Sequence, residues 1–326
     1  MDNQVFSTKQ IDPKGPWDVV IVGSGPAGLT AAIYTTRGAA STLILGGEAW
    51  GGQLMLTTQV DNFPGFPQGI MGPKLMEEMR AQAERFGAEF VEQNATAIDI
   101  NKRPFELTAG GKVYTAKSVI IATGAETVWL DVPGLQKLIG RGVSSCAPCD
   151  APFFKNKKVV VVGGGDSAME EAGVLTKYAS EVIIVHRREA FRASAVMQKK
   201  VLDNPKIKVM WNTEVIEVIG VEKVEKVKIK NNKTNEVSEL LADGLFVAIG
   251  HKPESEVFAG IIEIDERGFI KKVISDKGEV TSQTSVSGVF VAGDVHDHKY
   301  KQAITAAGFG CQAGMDALAF LSETSK

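Results

Sequence analysis

The residues with the most evident chemistry in this sequence are two cysteines and the aspartate that follows them. Cys146 and Cys149 are separated by two residues, and Asp150 comes directly after the second cysteine. Two thiols at this spacing can close a disulfide, and the short loop between them makes that disulfide easy to reduce. Asp150 can supply or accept the proton that thiol–disulfide exchange requires. The pattern therefore predicts redox chemistry at Cys146 and Cys149.

A Cys-x-x-Cys pair can also be half of a zinc site or a structural disulfide. A structural zinc ion needs four ligands, and the sequence contains only one further cysteine, Cys311, for which we expect a buried position in the C-terminal helix. His296 and His298 flank Asp297, where we expect exposed loop residues and no metal site. A dinucleotide-binding pattern lies close to the cysteine pair along the chain, and this combination favours redox chemistry over both alternatives.

Length and composition set limits on the class of protein. The 326 residues are enough for two domains, and 44% hydrophobic with 23% charged residues is ordinary for a globular protein. A formal net charge of -3 makes nucleic acid an unexpected partner. The three cysteines do not form a secreted disulfide framework, residues 1–16 read as a loose leader without a signal-peptide core, and we find no apolar run of the length that a membrane span needs. We therefore expect a cytosolic protein.

The first of two glycine turns follows an apolar strand. The segment Asp18–Val22 is rich in β-branched residues and is predicted to be buried on both faces, and a helix is predicted from Leu29 to Arg37. The turn between them reads G-x-G-x-x-G in the context that dinucleotide binding requires: its glycines permit the tight turn, the approach of a pyrophosphate and close helix packing. The predicted binding residues of this turn are Gly23, Ser24, Gly25, Pro26, Ala27 and Gly28.

Several later segments of the first unit carry further candidate cofactor ligands. Glu48 lies 20 residues after Gly28, where the motif expects an acid for the ribose hydroxyls, although a solvated surface glutamate is the alternative. Turn-rich segments follow it, and one strand ends in small residues that suit close approach of a cofactor. The predicted ligands from these segments are Gly52, Gln53, Leu54, Thr58, Asn62, Ala122, Thr123 and Gly124.

The last strand of the chain ends in a Gly-Asp pair before the C-terminal helix. Asp294 can bind a ribityl hydroxyl or order water near a pyrophosphate, and it follows Gly293 at the end of this strand. A helix is predicted from about Ile304 to Leu321, so that the N–H of Ala303 would head a helix dipole aimed at a flavin oxygen. Gln302 precedes it as a further candidate ligand.

A second glycine turn begins 140 positions after the first. It follows the predicted strand that starts at Lys158 and has alanine at the third glycine position, so the chain contains two copies of the mononucleotide-binding pattern. The predicted binding residues of this turn are Gly163, Gly164, Gly165, Asp166, Ser167 and Ala168, with Gly250 from a later buried strand.

The next strand of the second unit, Glu181–Val185, ends in a basic cluster. An acid at this position would select NADH, whereas arginines suit the 2′-phosphate of NADPH. A solvated basic turn is the alternative. The residues predicted to recognise the phosphate are His186, Arg187, Arg188 and Arg192.

Taken together, these motifs resemble the low-molecular-weight, NADPH-dependent thioredoxin reductases of bacteria, archaea, fungi and plants. The likeness extends from Asp18 to Leu321 and depends on both glycine turns, the cysteine pair, the basic cluster and the Gly-Asp segment, in the family's order. The chain departs from the family at Ala151, where glycine is usual, and at Pro148 between the cysteines, which affects the expected fit to a partner.

The resemblance implies an α/β fold with two Rossmann-like, three-layer dinucleotide-binding domains. Residues 1–125 and 252–326 would form a discontinuous domain that binds FAD non-covalently, and residues 126–251 would form the NADPH domain that carries the dithiol. It also implies a homodimer that acts on thioredoxin. Electrons would pass from NADPH to FAD, then to the Cys146–Cys149 disulfide and to oxidised thioredoxin, with Cys149 facing the flavin and Cys146 attacking the partner. The domains would rotate between the two half-reactions.

Two neighbouring enzyme classes and one binding class are the alternatives. A reductase that feeds a peroxiredoxin carries a fused thioredoxin-like domain at its N-terminus, and an oxygen-using dithiol oxidase should lack the arginine cluster. A nucleotide-binding redox sensor would use the dithiol for signalling without turnover. Steady consumption of NADPH in the presence of a thioredoxin distinguishes these classes.

Overall fold

The computed structural model describes residues 15–274, 278 and 280–324, so that nearly all of the predicted leader lies outside the described residues. The chain divides into two compact units. The first unit combines Met1–Glu126 with Lys252–Lys326, and the second is Thr127–His251.

The elements follow one another in an alternating α/β order. The α-helices are α1 Pro26–Arg37, α2 Gly72–Arg85, α3 Leu135–Leu138, α4 Ala147–Asp150, α5 Asp166–Leu175, α6 Ala195–Leu202 and α7 Ala303–Thr324. The strands are β1 Trp17–Val22, β2 Thr42–Leu45, β3 Gln59–Val60, β4 Ile70–Met71, β5 Glu89–Val91, β6 Ala95–Asp99, β7 Phe105–Ala109, β8 Lys112–Ile121, β9 Ala125–Thr127, β10 Val143–Ser144, β11 Lys158–Val162, β12 Glu181–His186, β13 Ile207–Trp211, β14 Thr213–Ile219, β15 Lys226–Asn231, β16 Val237–Leu241, β17 Gly244–Val247, β18 His251–Pro253 and β19 Val289–Val291.

The first unit is built on a sheet in the order β5-β2-β1-β8-β7-β6, with β19 also paired to β8. Strands β2, β1, β8 and β19 are parallel, and β6 and β7 are antiparallel. Alternate residues of β1 enter two hydrophobic clusters, with Ile21 in one and Val20 in the other. Because both faces of β1 are covered, the strand is apolar throughout, as the sequence predicted.

Two element boundaries in the first unit differ from the prediction. Helix α1 starts at Pro26, three residues before the predicted start, because proline has no N–H to satisfy in the first helical turn. The sequence predicts separate strands over Lys112–Ala116 and Ser118–Ile121, and the break between them is wrong, since β8 runs unbroken from Lys112 to Ile121. The Lys117 ammonium lies 2.8 Å from the Asp18 carboxylate, so the polar residue is accommodated by an ion pair at the sheet surface.

The second unit contains a parallel sheet in the order β10-β17-β11-β12-β13 and an antiparallel sheet of β14, β15 and β16. The sequence predicts a buried strand from Gly244 to His251 and a linker at Lys252-Pro253. In the structure β17 ends at Val247, and Lys252 and Pro253 belong to β18, which pairs with β9. Two units with parallel sheets and glycine turns confirm the predicted α/β, Rossmann-like fold class.

Among the described residues, α7 is long and apolar enough to cross a membrane by length and composition. Of its most apolar stretch, 33% is buried within the protein. Packed helices of soluble proteins meet the same criterion, so this is weak evidence for a membrane span. The predicted absence of a membrane segment stays a prediction.

Candidate functional site

The two cysteines of the predicted redox pair are joined by a disulfide. Cys146 precedes the one-turn helix α4, and its carbonyl accepts hydrogen bonds from the N–H groups of Cys149 and Asp150, at 3.2 and 3.1 Å. The N–H of Cys146 donates to the buried Ser144 hydroxyl at the end of β10 (3.0 Å). A disulfide has no thiolate to bind zinc, and the described part of the chain contains no group of three or more potential metal ligands.

The carboxyl group that follows the disulfide favours its protonated form. Burial raises the pKa of Asp150 above its ordinary value, and the hydrogen bond from Ser144 only partly opposes this. Asp150 therefore retains a proton to a higher pH than an exposed aspartate would. A carboxyl group of this kind, next to a reducible disulfide, can donate a proton as the bond opens.

The first glycine turn has the geometry that the sequence predicted. Gly23 has a φ of +111°, and a Cβ at this position would collide with the carbonyl of Ala122, while a Cβ on Gly28 would collide with the carbonyl of Gly23. Around Gly25, by contrast, a Cβ would meet nothing within 4 Å. Gly25 caps helix α1, so the open space lies at the helix N-terminus, where backbone N–H groups favour an anion. The turn therefore has room for a pyrophosphate.

The other residues of this turn and its neighbours mainly hold its shape. The Ser24 hydroxyl donates to the Gly46 carbonyl (2.6 Å) and accepts from the Gly51 N–H (2.9 Å), so its oxygen is used within the protein. A Cβ on Gly52 would lie 3.7 Å from the Cα of Gly25, which places the Gly52–Leu56 3₁₀ helix, with Gln53 and Leu54, beside the turn. Pro26 opens α1, and Ala27 is buried.

Two predicted FAD ligands from opposite ends of the first unit meet directly. The Asn62 amide donates to the side-chain oxygen of Gln302 at 3.1 Å, although 240 residues separate them. Gln302 directly precedes Ala303, which starts helix α7 as predicted. This contact brings the turn-rich segment after β3 to the N-terminus of α7.

The remaining predicted ligands of the first unit lie at strand ends. The Thr123 hydroxyl donates to the Glu254 carbonyl (2.5 Å), and the Gly124 carbonyl accepts from the Glu254 N–H (3.0 Å). Thr58 is exposed, and its carbonyl accepts from Gly72 (2.8 Å). Glu48 is exposed after β2, with its backbone N–H 3.3 Å from the Asn94 side chain.

Asp294 is the most unusual group of the first unit. It lies in the 3₁₀ helix Gly293–Val295, and its Oδ1 is buried without a hydrogen-bond partner among the described residues. Burial, together with the nearby Asp297 carboxylate, raises the pKa of Asp294 to about 7, and the Lys301 ammonium partly opposes this shift. A buried acceptor without a partner costs stability unless a ligand supplies the donor. Asp294 is therefore suited to a ligand hydroxyl, and its role as a cofactor ligand stays a prediction.

His296, two residues after Asp294, and Cys311, on α7, correct two expectations. His296, predicted to be exposed, packs edge-to-face on Phe309 with ring centroids 4.5 Å apart, and burial lowers its pKa to about 3. His298 is exposed as expected. Cys311 is partly exposed on α7, with its sulfur 4.0 Å from that of Met315, so the expected buried thiol was wrong. The neighbouring Gly310 packs against α1, where a Cβ on it would collide with the Ala27 carbonyl.

The second glycine turn repeats the geometry of the first. Gly163 has a φ of +155°, and a Cβ there would collide with the Ala248 carbonyl, whereas a Cβ on Gly165 or Gly250 would meet nothing within 4 Å. Gly165 precedes α5, which Asp166 and Ser167 open and whose Ala168 is buried. The Asp166 carboxylate accepts from both the N–H and the hydroxyl of Ser194 at 2.9 Å, so it links α5 to the start of α6.

His186, predicted to recognise NADPH, is buried beneath the second glycine turn. A side chain on Gly164 would collide with its ring, and its Nε2 lies 3.0 Å from the Ala190 carbonyl. Burial lowers the pKa of His186, with the charges of Arg188 and Arg192 contributing. The imidazole thus supports the loop that follows, and its position does not favour direct contact with a phosphate.

The three predicted arginines are exposed beside this turn. Arg187, Arg188 and Arg192 form no ion pair with any residue that the structure describes. The backbone N–H of Arg192 donates to the Gly164 carbonyl at 2.7 Å, which attaches the cluster to the turn. Three guanidinium groups with free donors can bind a phosphate through charge-assisted hydrogen bonds.

Comparison with known proteins agrees with this arrangement. Residues 17–310 match the family model described as pyridine nucleotide-disulphide oxidoreductase. The chain is 49% identical over 310 residues to the thioredoxin reductase of Streptomyces coelicolor, covering 94% of this chain and 95% of that protein. A thioredoxin reductase structure from Giardia duodenalis has a TM-score of 0.88 at 43% identity, covering 94% and 99%. A Lactococcus lactis thioredoxin reductase in the FR conformation has a TM-score of 0.62 at 39% identity, covering 94% and 99%.

Proposed function

Since the chain belongs to the pyridine nucleotide-disulphide oxidoreductases, as a low-molecular-weight thioredoxin reductase, we propose that it passes electrons from NADPH through FAD and the Cys146–Cys149 disulfide to a thioredoxin. The observation that carries the proposal is the disulfide itself, followed at once by a carboxyl group with a raised pKa. Both lie in the unit that presents the arginine cluster.

The first unit has features that fit FAD. The open space at Gly25 suits the pyrophosphate, and the unpartnered Oδ1 of Asp294 suits a ribityl hydroxyl. The joined Asn62 and Gln302 side chains and the N-terminus of α7 lie in the same unit. FAD, when bound, accepts reducing equivalents from a nicotinamide and delivers two electrons to a disulfide. The chain's own residues bind and orient it through backbone N–H groups and Asp294.

The second unit has features that fit NADPH. Gly165 leaves room at the N-terminus of α5 for the pyrophosphate, and Gly250 leaves room at a neighbouring strand end. Arg187, Arg188 and Arg192 have free donors for the 2′-phosphate, and His186 holds their loop from below. NADH lacks this phosphate, so the cluster would add nothing to its binding and would select NADPH.

The dithiol transfers electrons in three balanced steps. Two electrons and two protons open the Cys146–Cys149 bond into two thiols, and Asp150 holds one of these protons next to the pair. Cys146 then loses its proton, and its thiolate attacks the partner's disulfide; the partner's S–S bond breaks, a mixed disulfide forms, and the released partner sulfur takes up the proton. Cys149 attacks Cys146, which releases the partner as a dithiol and restores the original bond.

The proposed partner is a thioredoxin, and the residues after the dithiol offer it an apolar contact. Phe153 lies four residues after Cys149 in the 3₁₀ helix Ala151–Phe154 and is 48% exposed, while its neighbour Phe154 is buried. Exposed aromatic side chains beside a reactive group are typical of protein contact sites. Phe153 would place the partner's disulfide near Cys146.

Turnover requires the dithiol to meet a flavin in one state and a protein in another. We propose that the second unit rotates relative to the first between these states, as the resemblance implies. The chain passes between the units only after Glu126 and after His251, so changes confined to two segments would permit the motion. The related Lactococcus lactis structure is identified by one named conformation, which supports distinct states in relatives.

We further propose a cytosolic homodimer. A cytosolic setting keeps a reducible dithiol cycling. Helices α1 and α7 pack together and leave apolar side chains exposed, including Tyr34 at 42% and Met315 at 57%. A second copy of the chain would cover this surface. Sedimentation equilibrium should give twice the chain mass of 34.9 kDa, and Met315→Asp should shift it toward the monomer.

The central experiment measures NADPH oxidation by the purified, flavin-containing protein. With an oxidised thioredoxin, absorbance at the nicotinamide band should fall steadily, and insulin disulfides should be reduced in the coupled assay. Without thioredoxin, oxidation should stop after reduction of the protein's own flavin and disulfide. Steady NADPH consumption that does not depend on thioredoxin would instead indicate an oxidase and would refute the proposal.

A further inference from the structure

The arginines of the second unit lie in a loop that a neighbouring hairpin holds in place. We call residues 187–192 the arginine loop, and we call residues 231–236, from the last residue of β15 to the residue before β16, the hairpin turn. Asn212 donates from its N–H to the Arg188 carbonyl at 3.0 Å, and Asn232 donates from its N–H to the Asn212 carbonyl at 2.6 Å. The Asn232 side chain also donates to the Arg187 carbonyl at 3.3 Å. The hairpin turn therefore fixes the backbone on which two of the arginines are carried.

The hairpin turn is itself well ordered. The Asn231 Oδ1 accepts from the N–H groups of Lys233 and Thr234, at 2.9 and 3.0 Å. Asn235 adopts a φ of +59°, a conformation that asparagine tolerates better than most residues. This network holds the backbone of Lys233, which lies between Asn232 and Thr234, in one position beside the arginine loop.

Lys233 forms an ion pair with Glu189, the acidic residue of the arginine loop. Its Nζ lies 2.5 Å from the Glu189 Oε2, and both side chains are more than half exposed. Glu189 directly follows Arg187 and Arg188 and precedes Arg192 by three positions. Exposed ion pairs add little to stability, so the structural benefit of this contact is small. The charge of Glu189, however, lies within the arginine loop that is proposed to bind the 2′-phosphate.

The Glu189 carboxylate is the group in the arginine loop that opposes binding of a phosphate. Hydrogen bonding to Lys233 and its charge lower the pKa of Glu189, so the group is ionised at neutral pH. An ionised carboxylate among three arginines repels a phosphate dianion, and it can also engage a guanidinium that the phosphate needs. With Lys233 in contact, the carboxylate is neutralised and is held toward the hairpin turn.

We propose that Lys233 is a positioning residue for NADPH selectivity, because it neutralises Glu189 and holds it away from Arg187, Arg188 and Arg192. The ligand class is a nucleotide that carries a 2′-phosphate. This inference rests on the proposed NADPH-binding function and extends it to a residue outside the glycine turn and the basic cluster.

The test combines binding with kinetics. Isothermal titration calorimetry of the flavin-containing protein with 2′,5′-ADP, and with 5′-AMP as the probe that lacks the 2′-phosphate, measures recognition without turnover. Lys233→Ala should weaken binding of 2′,5′-ADP by about threefold to tenfold, the range expected when one charge acts on a phosphate across several ångströms of water-like medium, and should leave 5′-AMP unchanged. KM for NADPH should rise by a similar factor, with kcat nearly constant.

A matched control lies on the same hairpin. Lys226 begins β15 and pairs with Glu239 at 2.6 Å, so Lys226→Ala makes the same change in net charge without touching the arginine loop. It should leave 2′,5′-ADP binding unaltered. If Lys233→Ala has no larger effect than Lys226→Ala, the proposal is overturned.

The double variant tests the role of Glu189. Glu189→Gln alone should bind 2′,5′-ADP at least as tightly as the unmodified protein, and Glu189→Gln with Lys233→Ala should recover most of the lost affinity. A double variant as weak as Lys233→Ala would overturn the proposal, since the lysine would then act on the phosphate directly. Equal use of NADPH and NADH by the unmodified protein would refute the proposed cofactor itself, which is a different outcome from a failure of Lys233 alone.

Discussion

We predict that FAD binds more tightly as pH rises from 5 to 7, because the pKa of the buried Asp294 carboxyl group is raised. In the flavin-free chain, burial beside Asp297 raises the pKa of Asp294 to about 7, from an ordinary value of 3.8. Oδ1 has no hydrogen-bond donor among the described residues. A flavin hydroxyl that donates to this oxygen would favour the ionised form and return the pKa toward its ordinary value. Binding then releases a proton, so acid opposes binding.

The magnitude follows from the two pKa values. If Asp294 titrates near 7 in the free protein and near its ordinary value in the complex, the affinity for FAD falls about tenfold at pH 6 and about a hundredfold at pH 5, relative to the affinity at high pH. Neighbouring groups do not interfere in this window. Burial lowers the pKa of His296 to about 3 and that of Lys272 to about 8, so the imidazole stays neutral and the ammonium stays charged between pH 5 and 7.

The assay is quenching of flavin fluorescence when FAD is titrated into flavin-free protein at constant ionic strength. Asp294→Asn keeps the shape of the side chain and removes its titration, so its affinity should be nearly independent of pH over this range. Asp99→Asn, at the edge strand β6, is the matched control and should retain the full pH dependence. A pH-independent affinity in the unmodified protein, or an unchanged slope in Asp294→Asn, would refute the reasoning.

The other predictions concern the electron path and its source. Cys146→Ser should still allow NADPH to bleach the flavin but should reduce thioredoxin turnover by about three orders of magnitude or more, because both thiols form covalent intermediates. Cys149→Ser should lose turnover equally and should trap a mixed disulfide at Cys146. Near-normal turnover of either variant would mean that the disulfide is structural. Asp150→Asn should slow opening of the disulfide by about a hundredfold without slowing flavin reduction in stopped-flow absorbance. Because burial raises the pKa of Asp150, its proton is present at low pH and is lost as pH rises through the raised value, so the rate of disulfide opening should fall with rising pH and the Asn variant should lack this fall. A fall that persists in the Asn variant would exclude Asp150 as the donor. Replacing Arg187 and Arg188 together by Ala should lower the NADPH-to-NADH ratio of kcat/KM by about tenfold or more, and an unchanged ratio would contradict phosphate recognition there.

Local patterns were sufficient for the elements that have a simple steric cause. Gly23 and Gly163 must be glycines because each has a positive φ and a neighbouring strand carbonyl where a Cβ would lie. The β-branched strands before them are buried on both faces, which makes them readable as apolar runs. The spacing of Cys146 and Cys149 already indicated a disulfide, and the structure confirms it. The cofactor roles of individual residues stay predictions.

Side-chain environments were less accessible from the sequence, because they depend on residues distant along the chain. His186 reads as part of a basic cluster, but the packing of Gly164, Phe191 and Trp211 around its ring turns it inward. His296 is partly buried for the same reason, since Phe309 of α7 packs against its ring. The sequence around a polar residue at a strand end does not indicate which distant side chains will pack over that residue.

The sequence by itself determined the two glycine turns, the parallel strands around them, the redox pair and hence the family. These follow from steric and hydrogen-bonding rules that act within a few residues. Only the tertiary structure decided that Asn62 meets Gln302, that Asp294 is left without a donor, and that Lys233 reaches Glu189 across 44 positions. Such contacts depend on how the sheets and helices pack. A local sequence pattern does not show which distant segments of the chain folding will bring together.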